Sequence, residues 1–144
     1  MKKPRNPINL KENMRVDILM QALQMCRHDR CPCCPEYKHF CIAFRGKKIL
    51  ATGYNCRCRI PKRLSGRTSS NHAETATIFK IRDGKPYDIL VIRINRDGTK
   101  LLISKPCPVC SEWIERSHIS KIFYSDGQGN IILTDRKHIR DHRR

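Results

Sequence analysis

At 144 residues the chain suits one compact domain whose core needs no disulfides. Hydrophobic residues make up 39% and charged residues 30%, and no run approaches the ~20 apolar residues of a bilayer span, which argues against a helical membrane protein. Thirty Lys and Arg against 13 Asp and Glu give a net charge of +17, the electrostatic footprint of a protein that meets polyanions such as a nucleotide, RNA or single-stranded DNA. A merely solvated basic surface is the alternative reading.

Residues 1–12 are polar and basic and read as a flexible lead. No apolar run follows Met1-Lys2-Lys3-Pro4-Arg5, so no secretory signal is expected and the protein is placed in the reducing cytoplasm. The nine cysteines, an odd number, are then metal ligands or buried apolar residues sooner than a disulfide framework.

Met14, Val16, Leu19, Met20, Leu23 and Cys26 recur at helical spacing, predicting an amphipathic helix over 13–27. Residues 28–38, with Cys31, Cys33, Cys34 and two prolines, form a loop. His39–Phe44 and Lys48–Tyr54 read as a hairpin around Gly46, followed by a basic loop over 55–71. A helix is expected over His72–Ile81, with Ser69, Ser70 or Asn71 as its N-cap. Tyr87–Ile94 is a strongly apolar strand, ending in the turn Asn95-Arg96-Asp97-Gly98. A short extended stretch over Leu101–Ser104 and a helix over Pro108–Ser117 come next. Ile119–Tyr124 and Asn130–Leu133 are two more strands, before a basic tail over 135–144. The order α-β-β-α-β-α-β-β predicts an α/β domain over 13–134, with helices packed on a sheet.

Two fragments carry the chemistry, each at the start of a predicted helix: His72-Ala73-Glu74 and Pro106-Cys107-Pro108-Val109-Cys110. Cys107 and Cys110, three apart, share one helical face, and the positive helix start favours thiolate over thiol. With His72 they make a three-ligand N/S set for zinc, which leaves a fourth position open, the mark of a catalytic site. Zinc makes a water acidic near neutral pH. Glu74, two residues beyond His72, can face that water as a general base without ligating the metal, and later act as acid.

The order H-x-E followed by P-C-x-x-C resembles the zinc-dependent cytidine and deoxycytidylate deaminases. The resemblance extends over roughly residues 39–134. It implies a three-layer α/β/α sandwich around a mixed five-stranded sheet, one catalytic zinc, a homo-oligomer, and hydrolytic deamination of cytosine. Ala51-Thr52-Gly53-Tyr54-Asn55 is similar to the Gly-Tyr-Asn segment of deoxycytidylate deaminases, which implies that Asn55 contacts the substrate; locally, it also reads as a turn residue ending a strand. The same resemblance puts Ala73, Ser104 and Tyr124 at the substrate, although Tyr124 reads equally as core. Arg57, Arg59, Lys62, Arg63 and Arg67, in the loop between Asn55 and His72, are candidates to bind a substrate phosphate, or else form a solvated loop.

Cys31, Cys33, Cys34, His39, Cys41, Cys56 and Cys58 fall outside this site. Some viral deoxycytidylate deaminases are similar in holding a second, structural zinc, but C-x-C and C-C fit no standard ligand spacing, and free thiols are the other reading. Three functions compete. One is deamination of a free dCMP-like nucleotide. Another is deamination of cytosine or adenine within RNA or single-stranded DNA. The third is a nucleic-acid-binding module with only structural zinc, against which an intact Glu74 argues.

Overall fold

The computed structural model describes residues 16–28, 38–56, 60–64, 66–67 and 71–140; for the first helix it describes side chains over 17–25. The lead, Cys31, Cys33, Cys34, Arg57, Cys58, Arg59, Ser69 and Ser70 lie outside the described residues.

Helix α1 (Val16–His28) precedes the hairpin of β1 (His39–Arg45) and β2 (Lys48–Tyr54), whose turn uses Gly46 at φ 62°. A short 3-10 turn (Lys62–Leu64), helix α2 (Ala73–Ile78) and strand β3 (Tyr87–Ile94) follow. Then come the two-residue β4 (Leu101–Leu102), helix α3 (Pro108–Glu115), β5 (Ile119–Ser125) and β6 (Ile131–Asp135). The sheet order is β2-β1-β3-β5-β6, with only the β3–β5 pair parallel. The expected five strands form that path, and β4 adds a sixth by pairing with the end of β3.

Both faces of the sheet are covered, which is why β3 is apolar almost throughout rather than alternating. Side chains of one parity, Phe40, Ile42, Leu90, Ile92 and Phe123, pack with Ile18, Leu19 and Ala22 of α1. Those of the other parity, Cys41, Ala43, Ile89, Val91 and Tyr124, pack with Ala73 and Ile78 of α2 and Ile114 of α3.

Helix α2 departs from expectation at both ends. Its N-cap is His72 rather than Ser69, Ser70 or Asn71, and it closes at Phe79 instead of Ile81. Asn71 is bound backward: its N–H and C=O pair with Cys56, and its side chain accepts from the Thr75 hydroxyl. The Cys56–Asn71 bridge draws the two ends of the basic loop together at the sheet edge. Beyond β6 the chain stays on the body, with Ile139 fully buried and Arg140 paired to Glu115.

Candidate functional site

His72 and Cys107 are the N-cap residues of α2 and α3, both with extended backbone. Neither uses its side chain to cap its own helix. Pro108 fixes the first turn of α3, and Cys110 comes round onto the same side one turn later. The segment before Cys107 is pinned to the end of the sheet. Ser104 donates its N–H to Ser125 O and its hydroxyl to Val91 O, and accepts from the Ser125 N–H.

The ligand atoms of His72, Cys107 and Cys110 lie within 4.8 Å of one another, the only such group among the described residues. His72 Nδ1 is 3.3 Å from Cys110 Sγ and 3.4 Å from Cys107 Sγ. Zn–N and Zn–S bonds of about 2.0 and 2.3 Å meeting tetrahedrally put N and S about 3.5 Å apart, so the donor set fits zinc. The charges fit too. A hydrogen bond from Cys110 and the neighbouring His72 bring the Cys107 thiol down to about 3, while the Cys107 sulfur and burial push Cys110 up. The hydrogen bond to Cys107 raises His72. Both sulfurs can be thiolate together only beside a cation, which zinc would provide.

Glu74, in the first turn of α2, is 1% exposed, and its Oε1 is buried without a hydrogen-bond partner. His39 Nε2 lies 3.8 Å away, and Asn55 Oδ1 is close by in the same cavity. These two atoms are likewise buried and unpartnered. Three unpaired polar atoms converging on one cavity are costly unless a ligand or water completes them. Burial lowers the His39 pKa, against the opposing pull of Glu74, so the imidazole is neutral at neutral pH.

The cavity holds about 410 Å³. His72, Cys107, Glu74, Asn55 and His39 line it, and four cations, Lys38, Arg93, Arg96 and Lys105, line it as well. None of these cations stands out in the sequence, although β-strand alternation marks two positions. His39 and Arg93 are register partners, in phase with Cys41 and Val91, and so emerge on the α2/α3 face at the site end of the sheet.

Not every expected residue reaches the cavity. Ala73 is buried in the core and Tyr124 packs there too, while Ser104 has its hydroxyl and N–H engaged by the sheet. Lys62 is exposed on the 3-10 turn and does not line the cavity. Arg63 stacks 4.3 Å from the Phe79 ring at the far end of α2, and Arg67 pairs with Glu112 at 2.6 Å. Arg57 and Arg59 lie outside the described residues. Of the second cysteine group, Cys41 is buried in the core with its thiol pushed well above the ordinary range by burial, and Cys56 sits on the Asn71 bridge.

The sequence model of the cytidine and deoxycytidylate deaminase zinc-binding region matches residues 13–126. The chain belongs to that family. The family, together with the His72–Cys107–Cys110 donor set, supports a zinc-dependent hydrolytic deaminase. A comparison with curated proteins found no match. Among solved structures, a cytidine deaminase from Burkholderia pseudomallei has a TM-score of 0.55 at 15% identity, over 85% of this chain and 94% of that one. At that identity the likeness supports the shared fold. No helix among the described residues is long and apolar enough to cross a membrane.

Proposed function

We propose that this protein hydrolyses the amine of a cytosine nucleotide, dCMP or a close relative, to give the uracil form and ammonia. The observation that carries the reading is the buried Glu74, whose Oε1 has no hydrogen-bond partner, in the cavity that His72 and Cys107 also line. A structural zinc knuckle has no use for a desolvated carboxylate at its open side.

Zinc held by His72, Cys107 and Cys110 supplies Lewis-acid charge that lets a water give up its proton near neutral pH. Glu74 accepts that proton as the water oxygen bonds to C4, and passes it to the ring nitrogen N3. When the C4–N bond breaks, Glu74 moves the water's second proton, from the C4 hydroxyl, to the departing amine. The neutral His39 leaves Glu74 free for this work, because an imidazolium 3.8 Å away would hold the carboxylate in an ion pair. Asn55 can donate and accept, and its unpartnered Oδ1 is available to orient the substrate.

Lys38, Arg93, Arg96 and Lys105 around the cavity support a phosphate-bearing substrate over a bare nucleoside. Together with the net charge of +17 they also favour a second reading, deamination within RNA or single-stranded DNA. Zinc-loaded protein given dCMP, CMP, nucleosides, single-stranded DNA, RNA and adenine counterparts, with products weighed by mass spectrometry and Glu74→Ala as blank, tests both. Turnover of dCMP that the blank lacks supports the main reading, and turnover confined to strands replaces it with the second. Binding that survives Glu74→Ala as the sole activity would leave a non-catalytic module. The reading includes a reducing, cytoplasmic location, where both thiols stay available, and a homo-oligomer, which light scattering would check.

A further inference from the structure

A second cavity, of about 250 Å³, opens at the opposite ends of α2 and α3 from the zinc ligands. His72 and Cys107 begin the two helices, while Phe79 and Arg116 end them. Phe79 and Trp113 meet edge to face with ring centroids 5.0 Å apart. Arg63 lies over Phe79 at 4.3 Å and Arg116 over Trp113 at 5.1 Å, and Arg82 is the third guanidinium on the wall.

The electrostatics of this cluster are one-sided. No carboxylate lines the cavity among the described residues. Glu112 is drawn to Arg67 at 2.6 Å and stands 3.9 Å from Arg116, and Asp83 belongs to Arg45 at 3.2 Å. The two helix C-termini contribute about half a negative charge each, which offsets only one of three guanidiniums. Stacking on aromatic faces fixes Arg63 and Arg116 while leaving their in-plane N–H edges for another partner. The Trp113 indole N–H is buried and has no acceptor among the described residues. The Ser117 hydroxyl, a possible acceptor, already accepts from the Ile119 N–H. What remains is a small, donor-rich cavity with a surplus of positive charge.

We infer that this cavity binds a phosphate of a single-stranded nucleic acid. A phosphodiester oxygen accepts from several donors at once and needs no protein acceptor, which is what the wall offers. A strand fits better than a lone nucleotide on charge, because the chain carries +17 overall and a second set of cations lines the cavity at the other helix ends. The inference does not depend on the deaminase chemistry.

Trp113 is the chain's single tryptophan, so its fluorescence reports on this cavity. The full-length, zinc-loaded protein would be titrated with a short oligothymidylate, which has no exocyclic amine to hydrolyse, and in parallel with dTMP and with inorganic phosphate. The expected result is a saturable change in Trp113 emission with the oligonucleotide. Binding should weaken about tenfold or more in R63Q/R82Q/R116Q, and the slope of log affinity against log salt should fall by about 0.7, the contribution of the one phosphate no longer neutralised. The control K47Q/K48Q/K121Q removes the same charge from exposed positions elsewhere and should weaken binding by no more than about threefold. Equal weakening in the two triple variants would overturn the inference, as would dTMP or phosphate binding as tightly as the strand. Should the triple variant unfold, Arg82→Gln alone decides, since Arg82 stacks on neither ring. It should weaken oligonucleotide binding by more than the roughly threefold allowed to the control, and an unchanged affinity would refute the assignment.

Discussion

Gly53 should be irreplaceable, and replacing it links stability to catalysis. A Cβ built at Gly53 lies 2.6 Å from Thr77 Oγ1, 2.8 Å from Ala76 Cβ and 3.0 Å from Ala73 O, all in α2. Carbon atoms pack comfortably at about 3.5–4.0 Å, so an alanine methyl requires β2 and α2 to separate by roughly 1 Å. None of the three can swing aside, since the Ala76 Cβ is fixed to its own backbone. Ala73 O is backbone, and the Thr77 hydroxyl is held by Ala73 O at 2.8 Å and Cys41 O at 3.3 Å. Overpacking of this kind costs about 1–3 kcal/mol. At about 3 °C per kcal/mol for a chain of this size, the melting temperature of Gly53→Ala should drop by roughly 3–10 °C. The displaced helix carries both His72 and Glu74, and a misplacement of about 1 Å at reacting groups can cost about 10²-fold in rate. Thermal unfolding, zinc content and kcat/KM on the best substrate, measured on one preparation, check this. A Gly53→Ala protein with unchanged melting and unchanged kcat/KM would refute the close packing of β2 under α2, and with it the account of how Glu74 is held.

Glu74→Gln keeps the shape and removes the proton carrier, so kcat should fall about 10²–10⁴-fold or more while zinc content by atomic emission stays at the wild-type level. Cys110→Ser should lose the zinc bound by this cluster, and any equivalent that survives it would have to sit on other residues, such as the remaining cysteines. His39 has a folded pKa below its ordinary 6.5 because it is buried, so the unfolded chain binds more protons just below that pH. Stability should therefore fall as pH drops below about 6.5 toward the folded value, and His39→Phe should flatten that part of the pH–stability curve in denaturant titrations.

The zinc cluster is legible in the sequence because its geometry is local. Cys107 and Cys110 are one helical turn apart, and the H-x-E pair sits at the start of a helix. The strands are legible for the same reason, and departures fall where tertiary contacts decide. Asn71 looks like an N-cap, but its backbone is taken by Cys56, so His72 assumes the cap and turns its ring toward the sulfurs. Helix α2 stops early, where Phe79 turns to meet Trp113 and Arg63.

Electrostatics show most clearly why proximity in sequence is a poor guide to the site. The cations nearest His72 in the chain look like phosphate ligands, yet Arg67 is drawn to Glu112 and Arg63 to an aromatic ring at the far end of α2. The cations that do line the zinc cavity come from four separate places: before β1, the end of β3, the following turn, and the approach to Cys107. Only the strand pairing brings them together. Arg93 stands exposed near the end of β3, just past the apolar middle of that strand. It faces His39 across the ladder, and His39 in turn faces Glu74. A line of polar side chains therefore crosses from the basic mouth to the Glu74 carboxyl along a single face of the sheet. A substrate whose phosphate rests at the mouth would direct its base toward Glu74 along that line, so the fold constrains the orientation of the substrate before the base itself is touched.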